Sequence, residues 1–170
     1  MARLLLRFDD AATVAAWRAI DDAVMGGRSA SRLAFVADHA VWSGIVSLAQ
    51  GGGFASVRSP VGDYAAADAC GYVVTARGDG RRYGLRLFTG EGLDGIGYQA
   101  EFTPPAGAWA EVAIPLAAFR ARFRGRVLDD APPLDPARVR ELGFMIGERQ
   151  AGPFALALRA LRVLDATPAP

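Results

Sequence analysis

Apolar and polar positions alternate with the two-residue period of strands along most of this chain. The cleanest case is Ile96-Gly97-Tyr98-Gln99-Ala100-Glu101-Phe102. Ile96, Tyr98, Ala100 and Phe102 fall on one face, and Gly97, Gln99 and Glu101 on the other. Short apolar or β-branched runs precede it at 41–48, 54–58, 72–77 and 82–89, and follow it at 109–116, 141–146 and 154–163. Gly78-Asp79-Gly80 predicts a hairpin between 72–77 and 82–89, and Pro104-Pro105 stops the run ending at Phe102. Many short strands separated by turn signals predict an all-β chain, a sandwich or a barrel. Helical spacing is confined to short stretches. At 10–20, Asp10 or Thr13 caps a helix carrying Val14, Trp17 and Ile20. A turn or two is expected over 116–123, and Asp135-Pro136 has the N-cap and first-turn chemistry of another short helix.

These 170 residues are enough for one well-filled core. No repeat or linker divides them, so 1–166 is expected to be a single domain and the Pro-bearing tail 167–170 to fray. Net charge is +1, which gives no general attraction to nucleic acid or to an anionic membrane. All 19 basic residues are arginine. Lysine and asparagine are both missing, as a GC-rich bacterial genome would produce. No apolar run approaches the roughly 20 residues of a membrane span. Leu4-Leu5-Leu6 runs at once into Arg7, Asp9 and Asp10, unlike a signal peptide. A cytoplasmic protein is expected.

The chemistry on offer is narrow. Cys70 is the only cysteine and His39 the only histidine. Cysteine metal sites, histidine-pair metal sites and disulfides within the chain are thereby excluded, and a Ser-His or Cys-His catalytic pair is disfavoured. Cys70 is expected to be a buried, inert thiol, and His39 to sit in a polar turn at 37–40. Gly51-Gly52-Gly53 and Gly78-Asp79-Gly80 do not open helices after parallel strands, and no Gly-Lys-Ser/Thr follows either. No nucleotide site and no other cofactor is therefore expected. The basic stretch 120–126 is followed directly by Asp129 and Asp130, and reads as a solvated, salt-bridged connection.

Three glycine-rich runs stand out. They are Asp21-Asp22-Ala23-Val24-Met25-Gly26-Gly27-Arg28-Ser29, Gly51-Gly52-Gly53-Phe54-Ala55-Ser56-Val57-Arg58-Ser59 and Arg77-Gly78-Asp79-Gly80-Arg81-Arg82-Tyr83. Glycine pairs permit close approach of a backbone or ligand, and sandwich loops are where binding residues gather. Arg77, Asp79, Arg81 and Tyr83 read either as a hairpin tip or as a polar cluster at one rim. Arg58 alternates with Ser56 and Phe54 and is expected half-buried. Its guanidinium then needs a carboxylate, Asp22 or Asp79, or else binds an external anion. Asp21 and Asp22 have too few acidic neighbours in sequence to form a calcium series. Val24 and Met25 either plug the core or present an apolar contact to a partner. Trp42, Tyr98 and Trp109 are expected in the core rather than as sugar-stacking platforms. The residues expected to bind a partner or ligand are Asp22, Met25, Gly26, Gly27, Phe54, Arg58, Arg77, Asp79, Arg81, Tyr83, Tyr98 and Gln99; none is expected to be catalytic or to hold a metal.

Further segments join the three runs in order: Tyr98-Gln99-Ala100-Glu101-Phe102, Ile114-Pro115-Leu116-Ala117-Ala118-Phe119, Phe123-Arg124-Gly125-Arg126, Leu142-Gly143-Phe144-Met145-Ile146 and Gln150-Ala151-Gly152-Pro153-Phe154. This ordered set resembles the complex I intermediate-associated protein 30 family over nearly the whole chain. The resemblance implies a jelly-roll β-sandwich of the galactose-binding-like type with one or two short peripheral helices. It also implies a non-catalytic role as an assembly factor or chaperone for respiratory complex I, with a protein partner such as a complex I subunit. It brings no catalytic residues. The alternative is a carbohydrate or small-ligand binding module on the same sandwich.

Overall fold

The computed structural model describes residues 2–90, 96–123 and 126–166, apart from the side chains of Val24 and Met25. In chain order the strands are β1 (Ala2–Arg7), β2 (Arg18–Ala19), β3 (Ala30–Val36), β4 (His39–Val46), β5 (Ala55–Arg58), β6 (Ala69–Arg77), β7 (Tyr83–Phe88), β8 (Gly97–Phe102), β9 (Trp109–Pro115), β10 (Arg120–Phe123), β11 (Arg126–Val127), β12 (Glu141–Ile146) and β13 (Gly152–Asp165). They form two antiparallel sheets, the jelly-roll β-sandwich expected. The six-stranded sheet runs β3-β4-β13-β6-β9. The long β13 pairs first with β4 and then with β1 along the same edge. The seven-stranded sheet runs β11-β10-β8-β7-β12-β5-β2.

The core is made by alternation. Tyr83, Leu85 and Leu87 of β7, Tyr98, Ala100 and Phe102 of β8, and Leu142, Phe144 and Ile146 of β12 are buried. They meet Trp42 of β4, Tyr72, Val74 and Ala76 of β6, and Leu156, Leu158 and Leu161 of β13. Trp42 links the sheets, with its ring centroid 4.9 Å from Phe154 and 5.9 Å from Tyr83. At the other end Trp17 lies 5.3 Å from Phe8 and 6.0 Å from Phe144. Such aromatic contacts contribute about 0.5–1.5 kcal/mol beyond burial of area.

Most strand boundaries match the periodicity, but the hairpin expected across Gly78-Asp79-Gly80 does not form: β6 and β7 lie in different sheets, and the connection crosses between them, where Asp79 bonds to Tyr83 of β7 and Ala155 of β13. The helix expected over 10–20 is only α1 (Ala11–Ala15), capped by an Asp10 carboxylate that accepts from the Thr13 amide at 2.8 Å. Trp17 turns inward and Arg18–Ala19 then pairs with β5, so burial and a sheet ladder replace further helix. Over 116–123 a 3-10 turn (Leu116–Ala118) gives way to strand β10, and Asp135 caps a 3-10 turn (Pro136–Arg138) rather than a longer helix. Cys70 is exposed, not buried, because it takes the outward position in β6 between buried Ala69 and Gly71. His39 opens β4 rather than sitting in the turn. It is buried edge-on against Trp109, with Nδ1 2.9 Å from the Asp38 carboxylate. The tail 167–170 lies outside the described residues.

Trp42 is the largest fully buried side chain. Trp42→Ala is expected to lower stability by about 3–5 kcal/mol, read from chemical denaturation with an unchanged slope. A loss under about 1 kcal/mol would mean that the two sheets are not held together there.

Candidate functional site

Two adjacent carboxylates tie the sheets together at one edge. Asp21 accepts from the Ser31 amide at 2.8 Å and hydroxyl at 2.7 Å, on β3, and from the Ser56 amide at 3.1 Å, on β5. Asp22 is fully buried. Its Oδ1 accepts from the Ser29 amide at 2.8 Å. Its Oδ2 accepts from the Ser29 hydroxyl at 2.6 Å and the amides of Gly53 and Phe54 at 2.7 and 3.2 Å. Burial pushes the Asp22 carboxyl up, but these hydrogen bonds together outweigh it, and its pKa ends below the usual value. The glycine runs follow from this arrangement: a Cβ on Gly52 would lie 2.6 Å from Oδ2, and one on Gly27 2.4 Å from Oδ1. Gly26 supplies the left-handed residue, at φ 84°, that ends the 3-10 turn Asp22–Met25.

Asp79 makes a second clamp. Oδ1 accepts from the Tyr83 hydroxyl at 2.9 Å and the Arg81 amide at 3.1 Å, while Oδ2 accepts from the Ala155 amide of β13 at 2.8 Å. Burial, then the Asp79 charge, raise the Tyr83 hydroxyl above its usual pKa, so it stays a donor. Arg81 donates to the carbonyls of Gln150 and Ala151 at 2.9 and 3.0 Å, and Gln150 exchanges hydrogen bonds with the Arg82 backbone.

The outer face of the seven-stranded sheet is different in character. Register places Arg120, Gln99, Arg86, Gly143, Arg58 and Arg18 side by side across β10, β8, β7, β12, β5 and β2. Phe88 lies beside this row, 4% exposed, with the Arg58 guanidinium 3.9 Å and that of Arg86 5.0 Å from its ring centroid. Cation–π contact and desolvated packing hold both guanidinium groups against the ring. The lack of a side chain at Gly97 makes room, since a Cβ there would sit 3.1 Å from Arg86 Nη2. Carboxylates on this face are few. Glu141 Oε2 is 3.9 Å from Arg58 Nε, and Glu101 lies 2.7 Å from Arg82 and 3.8 Å from Arg122. Arg86 has no carboxylate partner among the described residues, and the buried Nε atoms of Arg86 and Arg122 have no acceptor. Burial, then the like charges of Arg58 and Arg122, push the Arg86 pKa down to about 10, so it remains cationic at neutral pH. A cleft of about 340 Å³ opens on the same face, bordered by Gly52, Phe54, Arg82, Gln99, Glu101 and Arg122.

The expected site residues therefore divide. Gln99 and Phe54 border the open face, and Arg58 lies in its arginine row. Arg58 pairs with Glu141, not with Asp22 or Asp79, because those carboxylates are taken up by backbone and hydroxyl donors. Asp22, Gly27, Asp79, Arg81 and Tyr83 are brought into clamps within the fold. Arg77 does not join Asp79 and Tyr83. It lies 5.1 Å from the Trp109 ring on the six-stranded sheet, with Arg159 on the same ring at 4.0 Å. Tyr98 is buried and donates to the Pro132 carbonyl at 2.8 Å. Met25 ends a 3-10 turn, and its side chain lies outside the described atoms. Sequence reasoning missed Arg86, Phe88, Glu101, Arg122 and Glu141. The signal was the outward set of 82–89, Gly84, Arg86 and Phe88, lying beside the outward set Gly97, Gln99 and Glu101.

A family model, Complex I intermediate-associated protein 30 (CIA30), matches residues 6–158. The chain belongs to this family. It is also 27% identical to an uncharacterized protein of Schizosaccharomyces pombe, over 87% of this chain and 77% of that one. Among solved structures it is similar to the family 11 carbohydrate-binding module from Clostridium thermocellum in complex with a β-1,3-1,4-mixed-linked tetrasaccharide. That match has a TM-score of 0.71 and 15% identity, covering 99% of this chain and 98% of the module. An exo-β-agarase matches with a TM-score of 0.61 and 7% identity, over 97% of this chain and 25% of the agarase. At these identities the solved structures establish the jelly-roll fold of this CIA30 family member.

The Asp22 clamp makes an acid-stability prediction. The folded carboxyl titrates below the unfolded value of 3.8. Its contribution is therefore complete above about pH 5 and is lost as pH falls through the folded pKa. Asp22→Asn is expected to cost about 2–4 kcal/mol at pH 7 and to flatten part of the acid limb of a stability–pH curve. An Asp22→Asn curve parallel to the wild type from pH 7 to about pH 2 would contradict the clamp.

Proposed function

We propose that this protein is a non-catalytic assembly factor for respiratory complex I, and that it docks its partner on the outer face of the seven-stranded sheet. The family match over residues 6–158 carries the assembly role. The surface is chosen by elimination. The carboxylates of both clamps are used up inside the fold, while the arginines on the open face exceed their carboxylate partners. A protein surface recognises such a field by complementary charge.

Carbohydrate binding is the second reading. It is favoured by the likeness to a module solved with a tetrasaccharide and by the cleft beside Gln99, Glu101 and Arg82. Half-buried Phe54 borders the cleft, but the other aromatic residues weigh against this reading. Trp42 and Tyr98 are buried, Trp109 is on the other sheet, and Phe88 is overlaid by Arg58 and Arg86. None of them offers the open ring face on which a sugar would stack.

Deleting the gene from its host is expected to deplete fully assembled complex I on native gels and to leave partial assemblies. The intact chain should restore the complex, and a chain with Arg58→Glu and Arg122→Glu together should not. Undiminished complex I in the deletion strain, with retention of the purified protein on mixed-linkage glucan, would replace this reading with the second one.

A further inference from the structure

Arg86 is an anomaly if it serves only the fold. Its guanidinium lies over Gly97 with its Nε buried and without an acceptor, between two other arginines. Its neighbours are each near a carboxylate, Arg58 near Glu141 and Arg122 near Glu101, and Arg86 is not. A desolvated cation among like charges costs stability unless an anion completes it. The surroundings hold the guanidinium in place: it fills the space left by Gly97, Gln99 fills that left by Gly84, and the Arg58 and Arg86 guanidinium carbons lie 3.9 and 5.0 Å from the Phe88 ring centroid. Gln99, paired with Arg86 in register, has its Nε2 over Gly84.

The geometry points to an oxyanion-binding site in which Arg86, flanked by Arg58 and Arg122, takes a carboxylate or phosphate group presented to the open face. Guanidinium forks match such oxygens through paired N–H donors, and a partly desolvated setting strengthens the contact. A ligand group of this kind would offset the repulsion among Arg58, Arg86 and Arg122. The inference deepens the docking reading above and rests on it, by naming what the partner must present. Acidic side chains and phosphate groups share this chemistry, and separate probes tell them apart.

The test is a thermal melt of the intact protein at 150 mM sodium chloride with inorganic phosphate, with an acetylated and amidated tetraglutamate peptide, or with the tetraglutamine peptide as the neutral control. One of the two anionic probes is expected to raise the melting temperature by about 3–6 °C at tenfold excess over its Kd. The tetraglutamine peptide should do nothing. A response to tetraglutamate alone assigns the site to carboxylates, and a response to phosphate alone assigns it to phosphate. Arg86→Met should abolish the shift. Arg122→Gln should reduce it and keeps the test open if Arg86→Met does not fold. Arg162→Met, which removes the same charge from the six-stranded sheet, should leave it intact. No shift in the wild type with either probe, or an equal shift in Arg86→Met, overturns the proposal. A chain that restores complex I in cells but binds neither probe defeats the anion site alone. Anion binding by a chain without effect on complex I defeats the assembly role alone and leaves the site standing.

Discussion

The fold depends on carboxylates that bind backbone amides of both sheets. Asp21 joins Ser31 of β3 to Ser56 of β5. Asp22 gathers Ser29 and the amides of Gly53 and Phe54 around one buried charge. Asp79 repeats the device at another end, between Tyr83 of β7 and Ala155 of β13. A sandwich core is non-directional and holds two sheets together without fixing their offset. A short charge-assisted hydrogen bond to an amide is directional and fixes it. The glycines at 27 and 52 are the steric condition for this arrangement, because a Cβ at either would occupy the space of the Asp22 carboxylate.

With the sheets fixed by acids inside, the outer face of the seven-stranded sheet is left to its arginines. Antiparallel register turns residues far apart in sequence into a row, so Arg18, Arg58, Arg86 and Arg120 share one line across the sheet. Burial, then the like charges of Arg58 and Arg122, depress the Arg86 pKa. That strain has no counterpart in the clamps, where every buried charge has its partners. The six-stranded sheet carries arginines too, but Arg159 and Arg77 stack on Trp109, Arg162 lies near Glu111 and Arg3 bonds to Asp68.

Much of this was legible in the sequence, and the part that was not has a common cause. Alternation at 96–102 marked core and open faces correctly, because an antiparallel sheet with one wet face must alternate. The glycine runs stood out for allowing close approach of a backbone or ligand, and at Gly27 and Gly52 what approaches is the buried Asp22 carboxylate. Arg58 was expected to meet Asp22 or Asp79. Pairing with Glu141 follows only from strand order, with β12 beside β5, which no local pattern contains. Arg86 was overlooked for the same reason: its strand position was readable, but its neighbours are set by register. Trp17 ended a helix that its spacing favoured, because burial between Phe8 and Phe144 outweighs a weak local propensity.

The central claim is that a complex I subunit meets this protein on the arginine-bearing face. Site-specific photo-crosslinking in the host tests it most directly. A benzophenone side chain is placed at Met145, on the open face of β12, or at Ile45, exposed on β4 of the opposite sheet, and adducts are identified by mass spectrometry. The account predicts a complex I subunit crosslinked from position 145 and not from position 45. The same subunit captured from position 45 and not from 145 would contradict it.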